Sequence, residues 1–151
     1  MDTLLPAKNG DVLELDELWS FVGAKAQTRW LWVALCRRTR QIVAWTLGDR
    51  SQQSARDLRA SLPKGYRGRA TRSDFWEAHA AALPRRTYRS CGKAEGETCH
   101  VERWFGTLRA RTSRLVRRAY SFSKNAGNHL DAIHLFITSY NLAVQRKATV
   151  R

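Results

Sequence analysis

Three β-prone runs set close together constrain the fold of this chain more than any other feature. Val12, Leu13, Leu15, Leu18 and Trp19 form the first, residues 30–36 the second and residues 42–47 the third. Gly23 and the polar stretch to Thr28 separate the first two, and the basic turn 37–41 separates the second and third. Runs divided by such short polar turns read as an antiparallel meander. After Gly48 the period changes. Ser51 is placed to cap a helix running to about Leu62, with Ala55, Leu58 and Leu62 on one side and Pro63, Lys64 and Gly65 as its stop. Residues 69–73 and 87–90 read as brief strands, and residues 75–83 as a helix ended by Pro84. From Thr98 a long helix places Val101, Trp104, Phe105 and Leu108 at i, i+3, i+4 and i+7. A last helix, 125–144, has Leu130, Ile133, Ile137 and Tyr140 as its expected buried stripe. Residues 1–10, with Pro6 and Asn9-Gly10 as turn formers, read as a poorly structured lead-in.

The expected order is therefore β-β-β-α-β-α-β-α with an added C-terminal helix, an α/β mixed sheet with helices on its faces. It is the element order of the ribonuclease-H-like fold. At 151 residues and 43 % hydrophobic the chain fits one core that needs no disulfide or structural metal. We divide it into the lead-in 1–10, a catalytic unit 11–120 and a C-terminal helical extension 121–151 packed on it.

The formal charge of +14 and isoelectric point near 10.8 point to a polyanionic partner, because Lys and Arg that neutralise phosphates release condensed counterions. From Arg103 onward ten Lys and Arg face one acid, Asp131, so the last third carries most of the net charge and reads as a nucleic-acid face. Cys36, Cys91 and Cys99 lack C-x-x-C spacing, which argues against a zinc site or a disulfide framework. No apolar run reaches 18 residues, and MDTLLPAKNGD lacks the basic start of a signal peptide, so a soluble intracellular protein without membrane contact is expected.

Against this positive background three carboxylates stand out, each at the edge of an apolar or basic segment: Asp16, Asp74 and Glu102. Carboxylates that converge from separate elements of a basic protein can hold divalent metal against a phosphate backbone. Magnesium takes oxygen ligands and keeps several waters, so two or three carboxylates suffice, and two ions about 4 Å apart serve phosphodiester chemistry. Each acid also has a plainer reading: Asp16 as an edge charge, Asp74 as the N-cap of helix 75–83, Glu102 as a partner of the helix N-terminus. On a strand Glu14 and Asp16 share a face and Glu17 opposes them, which makes Glu14 an accessory acid or a solvated one.

The wording around these acids resembles one family. LELDELWSFVGAK, then Ser73-Asp74, then HVERWFGTLRARTSRLVRRAYSFSK are similar, in that order, to the catalytic part of transposases of the insertion-sequence-one family, which are DDE enzymes. The resemblance spans about Leu13 to Asn141. It implies that Asp16, Asp74 and Glu102 are the D, D and E that ligate two Mg²⁺ (or Mn²⁺) ions. It further implies that Arg109, seven residues after Glu102 and on the same helix face, clamps phosphate, and that His100 orients a carboxylate or touches DNA. Two departures are visible: Phe75 stands where the family commonly has glycine, and no zinc-finger or helix-turn-helix composition is present. The chain thus looks like the downstream reading frame alone, with an upstream DNA-binding module as partner.

Lys25, Arg103, Arg111, Arg114, Arg117, Arg118 and Lys124 are the candidates for binding DNA backbone, and Trp76 for stacking on a base. His79, His129 and His134 read as packing or surface residues. The implied activity is metal-dependent cleavage at element ends and strand transfer into target DNA, by a homo-oligomer in the bacterial cytoplasm, at the nucleoid. A nuclease without strand transfer and an inactive DNA-binding remnant are the alternatives. A tyrosine recombinase using Tyr120 or Tyr140 leaves the acids unexplained.

Overall fold

The computed structural model describes residues 3–74, 84–91, 96–116 and 120–150. Five strands, β1 (Val12–Val22), β2 (Ala24–Cys36), β3 (Ile42–Gly48), β4 (Ala70–Ser73) and β5 (Tyr88–Ser90), form one sheet in the order β3-β2-β1-β4-β5. The first three pair antiparallel, while β4 joins β1, and β5 joins β4, in parallel. Three described helices accompany them: α1 (Gln52–Ser61), α2 (Cys99–Arg111) and α3 (Ala126–Thr149). The architecture is α/β with a mixed sheet, compatible with the ribonuclease-H-like arrangement. The expected helix at 75–83 lies outside the described residues.

Period-two alternation splits the core in two. Leu13 and Leu15 of β1, with Trp32, Ala34 and Cys36 of β2, pack under Ala55, Leu58 and Leu62 of the α1 segment. Leu18, Leu31, Val33 and Leu35 face the other way, toward Val101, Trp104, Phe105 and Leu108 of α2 and Ile133 and Ile137 of α3. The final helix therefore shares a core with the sheet and α2. Ser51 caps α1 as expected, its side chain accepting from the Ser54 N–H.

Three expectations change. The first hairpin is longer than the residue types suggested: Trp19 pairs with Trp30 and Phe21 with Thr28, and the turn shrinks to Gly23 at φ +73°. The polar residues 24–29 form an exposed strand because β1 still needs a partner for its backbone. Leu130 is 44 % exposed, and the buried stripe of α3 is His129, Ile133, Ile137 and Asn141. Polar side chains occupy that stripe because their hydrogen bonds are met inside: Asn141 exchanges bonds with the backbone N–H and C=O of Ile42. The lead-in is also tied down. The Leu5 N–H donates to Gln41 and the Tyr66 hydroxyl to the Leu5 carbonyl, while Leu4 and Ala7 pack on the core.

Candidate active site

Strand register brings the first two acids level. Glu14 of β1 lies opposite Arg72 of β4 in the parallel ladder, so two residues further along each chain Asp16 stands beside Asp74, just past the end of β4. Parallel neighbours are about 4.8 Å apart in the sheet. The third acid arrives on α2, which crosses the face of the sheet that Glu14 and Asp16 share. Asp16, Asp74, Glu102 and Arg109 line one cavity of 320 Å³, together with Glu17, Leu18, Thr98 and Phe105.

What sets the height of α2 is Glu14. Its side chain is fully buried, neither solvated nor turned into the cavity as an extra acid. One carboxylate oxygen accepts the backbone N–H groups of His100 and Val101, both at 3.0 Å. The other accepts from Arg37 Nε at 2.8 Å and His100 Nδ1 at 2.6 Å. A carboxylate from the central strand thus satisfies two of the donors that every helix N-terminus leaves open, and favours its dipole as well. Arg37 continues the chain to the carboxylate and carbonyl of Glu97, just before the helix. His100 hydrogen-bonds the Glu14 carboxylate, and it does not line the cavity of the three acids.

Within the cavity Glu102 is exposed and accepts from the Thr98 hydroxyl at 3.1 Å. Thr98 and the cap formed by Glu14 escaped the reading of the sequence. A Thr four residues before the third acid was available as a hint, but nothing local reveals a cap from another element. Asp16 accepts the Glu17 N–H, yet its carboxyl is pushed up to about 7. Burial is the main cause, and the charges of Glu17, Asp74 and Glu102 add to it. Glu17 pairs with Arg50 at 2.8 Å. The site is thus a cluster of oxygen donors that repel one another, the donor chemistry suited to magnesium or manganese. Among the described residues no three such side chains already stand close enough to enclose an ion.

Of the other candidates, Arg103, Arg111 and Arg114 are exposed on α2 and the turn after it, Lys124 lies exposed before α3, and Lys25 is exposed on the outer part of the first hairpin. None of these lines the acidic cavity. Trp76, Arg117, Arg118 and His79 lie outside the described residues. His129 is buried, with Nδ1 on the Ser123 hydroxyl at 2.8 Å and Nε2 on the Ser20 hydroxyl at 3.1 Å, and His134 is exposed beside Trp45. Among the described residues no helix is long and apolar enough to cross a membrane.

The family model described as IS1 transposase matches residues 12–142, which takes in the whole sheet and all three acids. The chain belongs to the IS1 transposase family. It is 37 % identical over 129 residues to the insertion element iso-IS1n protein InsB of Shigella dysenteriae, covering 85 % of this chain and 95 % of that one. It is 32 % identical to the insertion element IS1 protein InsB of Shigella flexneri, over 77 % of this chain and 86 % of the relative. The insertion element IS1 4 protein InsB of Escherichia coli strain K12 is 31 % identical, over 77 % and 67 % respectively. DNA transposition is the function that this membership assigns to it.

Proposed function

We propose that the chain is a DDE transposase catalytic unit on a ribonuclease-H-like sheet, in which Asp16, Asp74 and Glu102 hold two divalent cations, magnesium or manganese. The observation that carries this is the shared cavity: three acids and Arg109, distant in sequence, face one space in a member of a transposase family. Bound there, such ions supply a nucleophilic oxygen at neutral pH and stabilise the leaving oxygen. The chain's own residues do the rest. Asp16 within β1 and Asp74 just past the end of β4 offer short carboxylates from adjacent strands, and Glu102 reaches from the helix with Thr98 steering it. Arg109 neutralises the phosphate that undergoes reaction, since a guanidinium matches phosphate oxygens as a fork. Glu14, with Arg37 and His100, holds α2 at the height where Glu102 meets the strand acids.

In the first step water attacks the phosphorus at the element end and the 3′ oxygen leaves, taking up a proton as a 3′-OH. In the second that hydroxyl attacks a target phosphodiester in line, and the target's own 3′ oxygen leaves. Lys25, Arg103, Arg111, Arg114 and Lys124, with Trp76, Arg117 and Arg118, bind backbone and bases around the ends and the target. Residues 11–120 form the reacting unit and 121–151 an extension packed on it, working as a homo-oligomer at the nucleoid with an upstream zinc-finger and helix-turn-helix module.

The test is Mg²⁺-dependent cleavage and joining of a labelled element-end duplex. Asp16→Asn, Asp74→Asn and Glu102→Gln are each expected to abolish both products while duplex binding persists. A variant that cleaves at the wild-type rate removes its residue from the assignment. Cleavage without joined product at any protein concentration would leave a nuclease.

A further inference from the structure

A second described cavity, of 510 Å³, shares no lining residue with the acidic one. It lies between α1 and the start of β4. Arg56, Arg59, Arg67 and Arg69 line it, and no carboxylate is among its described lining residues. Elsewhere in this protein arginines close on acids: Arg37 on Glu14 and Glu97, Arg38 on Asp11, Arg50 on Glu17. Arg67 and Arg69 of this cavity instead have neutral acceptors. Arg67 donates Nε to the Leu62 carbonyl at 2.9 Å and Nη2 to that of Ala60 at 3.3 Å. Arg69 donates Nε to the Gly65 carbonyl at 3.1 Å and Nη1 to Asn9 Oδ1 at 2.8 Å. Such acceptors orient guanidinium planes without cancelling their charge. Asp11, the acid whose field reaches Arg69, is engaged through both oxygens by Arg38. Arg56 and Arg59 extend the positive rim from the exposed side of α1, and Arg85 and Arg86 are exposed next to Pro84 on the other side.

We propose that this cavity is a second phosphate-backbone site for nucleic acid, separate from the acidic pocket. Fixed guanidinium groups around a concave surface suit phosphodiester oxygens, and the open, Arg-rich lining suits a chain of phosphates better than an apolar small molecule. Its position has a geometric meaning. Arg69 precedes β4 and Asp74 follows it, but the arginine cavity opens on the α1 side of the sheet, beside Leu62 and Tyr66, and the acids on the α2 side, beside Leu18 and Phe105. A phosphate chain bound here runs on the face of the sheet opposite to the one that holds the carboxylates. The choice of nucleic acid as occupant rests on the transposase reading, whereas the affinity for phosphate does not.

The experiment is fluorescence anisotropy of the full chain with a labelled duplex, as a function of salt. Removing two phosphate contacts with Arg56→Gln/Arg59→Gln should lower the log–log salt slope by about 1.8, at about 0.9 per contact on duplex DNA. With an unchanged intercept at 1 M salt, this makes binding about sixtyfold weaker at 0.1 M. An unchanged slope in a double variant that melts with the wild type overturns the proposal. If that variant melts early, Arg85→Gln/Arg86→Gln on the opposite rim carries the same expectation and the same refutation. Wild-type protein that binds with the full slope but never cleaves would sink the strand-breaking chemistry and leave this site standing.

Discussion

Replacing Glu14 by alanine removes a fully buried carboxylate. Two backbone donors at the start of α2, on His100 and Val101, lose their acceptor, and Arg37 and His100 lose theirs. A buried donor left unpaired costs about 1–3 kcal/mol, and breaking a buried ion pair from one side about 3–5 kcal/mol. These terms overlap. Arg37 keeps Glu97 and is itself 30 % exposed, so the expected total for Glu14→Ala is about 3–5 kcal/mol. Against a typical stability of about 5–15 kcal/mol this is a large fraction. Glu14→Gln keeps one oxygen for the two backbone donors and should lose only about 1–2 kcal/mol. Urea denaturation followed by tryptophan fluorescence measures both, and hydrogen exchange at the His100 and Val101 amides reports whether the helix start opens. The cap is refuted if the alanine variant stays within about 1 kcal/mol of the wild type, or if glutamine is as damaging as alanine.

Two further outcomes concern pH. The Asp16 carboxyl, raised from 3.8 to about 7, destabilises the folded chain increasingly as pH rises through that window, so metal-free Asp16→Asn should be the more stable protein at pH 8 and equal to the wild type below pH 4. The gain is bounded by about 4 kcal/mol at about 1.36 kcal/mol per unit, Mn²⁺ should narrow it by stabilising only the wild type, and a less stable asparagine variant at pH 8 would contradict the repulsion. For His129 burial, then the charges of Arg114 and Arg29, lower the imidazole below 6.5, so stability is complete above that value and declines as pH falls beneath it. His129→Asn should flatten that decline in melts between pH 7 and 5, and an equally steep decline in the variant would assign it to other groups.

The sheet could be read from the chain because 12–19, 30–36 and 42–47 are β-prone apolar runs divided by short polar turns, and the three acids announced themselves against so much positive charge. The acids' meeting depended on the parallel register of β1 with β4, which no local pattern encodes. Glu14 was misjudged for the same reason: a charged residue between apolar neighbours looks solvated until α2 supplies three donors and Arg37, after β2, a fourth. Leu130 was misjudged because hydrophobicity alone chose the face of α3, whereas the buried positions at 129 and 141 are polar and satisfied by Ser20, Ser123 and Ile42.

The alternation of β1 serves two masters at once. Leu13 and Leu15 fill one side of the molecule while Glu14 and Asp16 equip the other, and the ladder to β4 fixes their height. Deleting a single amino acid between positions 12 and 16 would rotate carboxylates into oil and leucines toward the reacting phosphate. Insertions before position 12 would leave that alternation intact and disturb only the contacts of the lead-in, such as those of Leu5 with Gln41 and Tyr66, so variation among functional copies of this element should be better tolerated there than four residues later.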